Sequence, residues 1–278
     1  FAATKSPLRD AAGDVVGIVG VARDVTEERR LQADRERLHQ LEHEFTETIQ
    51  RAMAGSVDID DARVDIAARY QPAQDQLSVG GDWYDAIDVD GDRAALIIGD
   101  VVGHGIESAT TMGQLRSALT ALTPVTATPA AAIEALDRFA ADLPRARATT
   151  CLVAYIDFGA GALTFSIAGQ MPPLLVPVDG PPYLVEGSQD PPLATQSHHR
   201  RRNTSVPFPP GSTVLLYTDG LVEDRSMGID EGLERLRAVA AGCSGWAVEA
   251  IADRLLASLP HRPRQTDDIA LIVARRSG

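Results

Sequence analysis

The segment from Asp82 to Asp100 constrains this chain more than any other. Asp82-Trp83-Tyr84-Asp85-Ala86-Ile87-Asp88-Val89 alternates as a strand does, Asp90-Gly91-Asp92 supplies a turn, and residues 93–100 return as a buried strand. Folding the chain at Gly91 sets Asp100 opposite Asp82, with cross-strand Cβ atoms about 4.5–5.5 Å apart. Like charges at that spacing are destabilising unless a cation or a shared proton lies between them. The pairing therefore predicts a metal site.

Two more aspartates fit the same pattern. The apolar strand Val214-Leu215-Leu216-Tyr217-Thr218 ends at Asp219-Gly220, and Asp267-Asp268 opens a last strand, Ile269-Ala270-Leu271-Ile272-Val273. If that strand runs antiparallel to the others, the four carboxylates meet along one sheet edge. Hard oxygen ligands of this kind suit Mg²⁺ or Mn²⁺. Asp-Gly after a strand is also ordinary turn chemistry, so the inference rests on the four together.

At 278 residues the chain holds one large domain, or one domain and an appendage. A net charge of −13 argues against nonspecific binding to nucleic acid or to an anionic membrane. Cys151 and Cys243 read as buried, reduced thiols of a cytoplasmic protein. No apolar run approaches the ~20 residues of a membrane span, and no signal peptide is visible. The chain begins at Phe1 without an initiator Met, which predicts a piece of a longer polypeptide.

Residues 1–25 read as a hairpin turning at Ala11-Ala12-Gly13-Asp14. An isolated hairpin is marginal in water. The exit from Gly17 and Gly20 to Asp24-Val25-Thr26-Glu27 resembles the last two strands of a PAS sensory domain. Asp24 and Glu27 have the capping-box spacing, so a helix should start there and fill residues 26–54. Leu31, Leu38, Phe45 and Ala52 recur every seven residues, with Leu41 and Thr48 between them. That pattern suits either a short coiled coil that dimerises the chain or a helix packed on its own domain. Beyond it the chain reads as α+β. Helices are expected at 106–122, 129–143, 229–243 and 247–259, with a second hairpin at 150–158 and 162–168 across Gly159-Ala160-Gly161.

Four sequence blocks now stand in order. They are Val79-Gly80-Gly81-Asp82-Trp83-Tyr84-Asp85, Ile98-Gly99-Asp100-Val101-Val102-Gly103-His104-Gly105, Pro210-Gly211 with Leu216-Tyr217-Thr218-Asp219-Gly220-Leu221-Val222-Glu223, and Thr266-Asp267-Asp268-Ile269-Ala270-Leu271. Together they resemble the bacterial branch of the metal-dependent protein phosphatases (PPM, type 2C-like), typified by the stage II sporulation protein E domain and the regulators of stress sigma factors. The resemblance covers residues 64–276. It implies a β-sandwich of two antiparallel sheets flanked by helices, with a two-metal site at one end. It further implies that Asp100 bridges two Mn²⁺ or Mg²⁺ ions, that the Val101 backbone carbonyl binds one, and that Asp82, Asp219 and Asp267 complete the ligands. Solvent activated at that centre would hydrolyse a phosphoserine or phosphothreonine, with no protein nucleophile. The implied substrate is a phosphorylated anti-sigma-factor antagonist of the STAS type, in sigma-factor partner switching and stress response.

Several residues leave alternatives open. His104 could donate a proton to the leaving oxygen, shape its loop, or order solvent at the ions. Asp85 and Asp268 read as outer ligands or as turn and cap residues. Gln170-Met171 stands where relatives carry His-Asn, and Ala270 where they carry Thr, so a non-catalytic phosphoprotein-binding scaffold is the rival reading. The cluster His198-His199-Arg200-Arg201-Arg202 reads as a solvated loop rather than a phosphate site.

Overall fold

The computed structural model describes residues 2–27, 29–32, 34, 35, 37, 54–73, 80–103, 105–196, 199–223, 228–259 and 267–278. The chain forms two compact units, Phe1–Phe45 and Thr46–Gly278.

In the first unit β1 (Ala2–Arg9) pairs antiparallel with β2 (Val15–Arg23), as the turn at Gly13 requires. The hairpin buries almost nothing of its own: Leu8, Val15, Val16, Ile18, Val19 and Val21 are all exposed. A helical segment follows. Its start is fixed by Asp24, whose Oδ1 accepts from the Thr26 amide at 3.0 Å and from the Thr26 hydroxyl at 2.6 Å. The cap thus works through Thr26 and not through the Glu27 of the expected capping box. The heptad positions from Leu38 to Ala52 lie outside the described residues.

The second unit begins with β3 (Gly55–Asp58), β4 (Val64–Gln71), β5 (Asp82–Asp88) and β6 (Arg93–Asp100). Helices α1 (Ile106–Leu122) and α2 (Pro129–Ala140) follow, then β7 (Thr150–Asp157) and β8 (Ala162–Ala168). Short strands β9 (Leu174–Val176), β10 (Tyr183–Leu184), β11 (Gln189–Asp190) and β12 (Thr204–Pro207) lead to β13 (Thr213–Tyr217). Helices α3 (Ile229–Ala241) and α4 (Val248–Ala257) precede the last strand, β14 (Ile269–Arg276).

Two sheets form. One runs β11-β8-β7-β6-β5-β3 with β12 beside β8; the other runs β10-β9-β13-β14-β4. Most pairs are antiparallel as expected, but β3 joins β5 and β11 joins β8 in parallel. Side-chain alternation sorts the core into three layers. Leu96, Ile98, Leu152, Phe165, Leu216 and Ile272 fill the space between the sheets. Trp83, Ile97, Leu115 and Leu136 pack the first sheet against α1 and α2. Leu215, Tyr217, Leu236, Ile251 and Leu271 pack the second against α3 and α4. The result is a helix–sheet–sheet–helix sandwich, in which β6, β7 and β14 are apolar on both faces.

Candidate metal centre

The turn at Gly91, with φ of 80° and the Val89 amide bonded to the Arg93 carbonyl at 2.9 Å, fixes the β5–β6 register. Asp82 is the register partner of Asp100, as the sequence predicts. Both carry the parity of Leu96 and Ile98, so both project from the face that meets the other sheet. The two carboxyls share a hydrogen bond. Burial, followed by the charge of Asp100, pushes the Asp82 carboxyl well above its ordinary range. Burial, followed by the charges of Asp219 and Asp267, raises Asp100 to about 7. At the rim, loss of hydration and then the charge of Asp219 lift Asp267 to about 6.

Asp82, Asp100, Asp219, Asp267 and Asp268 thus feel one another, although they come from points spread over most of the unit. The expectation of one sheet edge is corrected here. β5 and β6 lie in the first sheet and β13 and β14 in the second, so the carboxylates converge where the ends of both sheets face each other.

Thr218 joins the two sheets at this point. Its hydroxyl donates to Asp82 Oδ2 at 2.7 Å and accepts from the Ala270 amide at 2.9 Å. Sequence reasoning gave Thr218 no role beyond preceding Asp219. Tyr70 on β4 donates to Asp268, and burial pushes its phenol upward. Asp268 also accepts from the Ala73 amide at 2.9 Å, which ties it to the chain after β4. Asp85 does not join the cluster. It lies on the opposite face of β5, where Arg116 of α1 pairs with it at 2.7 Å and the Ser56 amide donates to it at 3.1 Å. His104 lies outside the described residues.

The backbone is shaped for a close approach. The Val101 amide donates to the Gly81 carbonyl at 3.1 Å, and a Cβ on Gly81 would come within 2.2 Å of the Val101 carbonyl oxygen. Only glycine lets that carbonyl stand beside Asp100. Among the described residues no three acidic, His or Cys side chains draw close enough to cage an ion by themselves. The donor set nevertheless fits hydrated Mg²⁺ or Mn²⁺, which take one or two carboxylates each and keep several waters. Burial first, and then one another's charge, raise these carboxyls, and a bound cation would offset both. Gln170 is buried, with Oε1 accepting from the Met171 amide at 2.8 Å and Nε2 without a partner among the described residues.

A two-sheet sandwich flanked by helix pairs, with aspartates gathered at the ends of both sheets, defines a PP2C-like architecture. The chain belongs to the stage II sporulation protein E (SpoIIE) family, whose model matches residues 90–277, and a PAS fold matches residues 1–30. The RsbU and RsbW domains of a Mycobacterium tuberculosis protein are 34% identical over 81% of this chain, with a TM-score of 0.74. The PP2C phosphatase domain and a regulatory fragment of Bacillus subtilis SpoIIE match at 19% identity over 78% of the chain, with a TM-score of 0.68. The chain spans 63% and 64% of those two structures. RsbX crystallised in complex with magnesium matches at 16% identity and a TM-score of 0.62, covering 79% of this chain and 98% of that one. No described helix is long and apolar enough to cross a membrane.

Proposed function

We propose that this chain is a metal-dependent protein serine/threonine phosphatase that acts on a regulatory phosphoprotein. The observation that carries the reading is the convergence of Asp82, Asp100, Asp219 and Asp267 with the Val101 carbonyl beside Gly81. When bound, a pair of divalent cations supplies an activated solvent nucleophile and screens the phosphoryl oxygens. Thr218 holds Asp82 in one orientation, so the centre is preorganised. Asp100 and Asp267, raised to about 7 and about 6, would have to give up their protons near neutrality to hold such ions. Cysteine chemistry has no place in this reading. Both cysteines are buried, and burial pushes the Cys151 thiol up to about 12.

The substrate in this reading is a phosphorylated STAS-type anti-sigma-factor antagonist, so that dephosphorylation frees a sigma factor in the cytoplasm. Membership of a family with RsbU and SpoIIE relatives supports it. Residues 1–25 act as the C-terminal strands of a PAS-like sensor, residues 26–54 as a linker helix, and residues 64–276 as the phosphatase domain. Phosphate release from a phosphoserine protein, measured with and without Mn²⁺ for wild type and Asp219→Ala, tests the activity. Mn²⁺-dependent release that the variant loses is the expected result. Tight binding of the phosphoprotein without any release would favour the scaffold reading, which the buried Gln170 in place of histidine motivates.

A further inference from the structure

A cavity of about 610 Å³ opens between α2, the segment leading into β7, and a third wall that includes Ala194, Gln196, His199 and Arg200. That volume is within the range of ligand sites. Three exposed arginines line it, Arg138, Arg147 and Arg200, and none has a carboxylate partner among the described residues. The acids on its wall are already engaged. Glu134 accepts from the Arg201 amide at 2.9 Å, and Asp137 accepts from the Ala194 amide and pairs with the Arg201 guanidinium, both at 2.8 Å. With the Asp137 charge matched by Arg201, three arginines stand against Glu134, so the lining is net cationic on a chain of net charge −13.

The walls are also fixed. Arg201 is buried, contrary to the solvated loop expected of residues 198–202, and a buried guanidinium persists only where its partners hold it. Arg202 and His199 both reach Asp190, at 2.8 and 3.3 Å. Ala148 donates to the Leu193 carbonyl and Leu193 to the Thr149 carbonyl, each at 2.9 Å, which laces the two loop walls together.

Position links this cavity to the aspartates. Thr150 is the register partner of Asp100, and Arg147 stands three residues before it. Chain reach puts the Arg147 Cα within about 11 Å of Thr150 and thus within about 16 Å of Asp100. Four or five extended residues of a bound segment span that distance.

We propose that this cavity docks an acidic segment of the phosphoprotein substrate, its carboxylates paired with Arg138, Arg147 and Arg200 while the phosphoryl group lies among the aspartates. The proposal rests on the phosphatase reading and adds to it the chemistry that selects the substrate. Guanidinium forks match carboxylates. Arginines carried by three separate segments suit several acids along a chain rather than one compact anion. A local cationic site also offsets the repulsion between an acidic enzyme and an acidic partner.

The test uses two phosphoserine peptides that differ only in three Glu or three Gln residues four to six positions from the phosphoserine, made with the tract on either side. Wild type should hydrolyse a Glu peptide with kcat/KM about 10-fold above its Gln counterpart, through KM, and added salt should erode the difference. In R138Q/R147Q/R200Q the ratio should fall to near one, with the Gln peptide as internal control. Equal kcat/KM in wild type for both placements overturns the docking site and leaves the phosphatase reading standing. If no peptide is hydrolysed, the phosphatase reading fails, and fluorescence polarisation with a labelled Glu-rich peptide lacking phosphate decides the docking site. Binding that the triple variant weakens about 10-fold supports it, and binding unchanged in the variant overturns it. Displacement by inorganic phosphate with no Glu-over-Gln preference assigns the cavity to a free anion and likewise overturns it.

Discussion

Thr218 and Asp82 come from different sheets, 136 residues apart, and meet in a buried hydrogen bond of 2.7 Å. The Thr218 hydroxyl is itself held by the Ala270 amide, and its proton favours Asp82 at 2.7 Å over the Ala270 carbonyl at 3.4 Å. Loss of a group that orients a metal ligand typically weakens metal affinity by about 10–100-fold. Thr218→Val should therefore weaken Mn²⁺ binding by about that factor in titration calorimetry, with a stability loss of about 1–3 kcal/mol. Unchanged Mn²⁺ affinity would show that Asp82 needs no such support, or binds no metal.

The raised carboxyls predict an unusual pH response without metal. Asp100 titrates at about 7 and Asp267 at about 6 in the folded chain, against an ordinary value of 3.8. Between pH ~4 and ~7 the folded state therefore binds more protons than the unfolded state, and stability falls as pH rises through that window. In EDTA, Tm should be higher at pH 5 than at pH 8, and Asp100→Asn should flatten the difference. Mn²⁺ should restore Tm at pH 8. General charge repulsion in this acidic chain acts in the same direction, so the comparison with Asp100→Asn carries the argument. Parallel pH profiles for wild type and variant would show that Asp100 is not strained by its neighbours.

Gly81 offers a sharper geometric test. Its missing side chain leaves room for the Val101 carbonyl, which a Cβ would approach to 2.2 Å. The clash is with backbone, so the loop after β6 must move. Gly81→Ala should cost about 1–3 kcal/mol of stability. It should also reduce Mn²⁺-dependent phosphate release by about 100-fold or more, the scale of a 1 Å misplacement. Full activity in a folded Gly81→Ala protein would remove the Val101 carbonyl from the site.

Much of this arrangement was legible in the sequence where the determinants are local. The Asp90-Gly91-Asp92 turn and strand alternation set the Asp82–Asp100 pairing, and apolar periodicity set α1 to its ends. Strand order across the sandwich was not legible. Nothing near Asp219 or Asp267 records that β13 and β14 join a sheet other than that of β6. Two-residue strands such as β10 and β11 carry no period at all. Arg201 looked solvated beside four other basic residues, because its partner Asp137 lies on α2, far back in the chain. Thr218 was hidden for the same reason, since a hydroxyl acquires its role only when the sheets meet.

Asp85 illustrates how one local signal can serve another end. Its carboxylate is almost fully buried and accepts from Arg116 and Ser56, binding β3, β5 and α1 together. Removing the guanidinium would strand a buried charge, whose cost is about 3–5 kcal/mol. Replacing both partners removes the charge and its counterion together. Arg116→Ala should therefore lower urea-unfolding stability by about that amount, while Arg116→Met with Asp85→Asn should recover most of the loss. Because Asp85 faces away from the aspartate cluster, the double variant should keep the Mn²⁺ affinity of wild type. A double variant that folds but fails to bind Mn²⁺ would instead tie this ion pair to the metal centre, through α1 and the loop that follows Asp100.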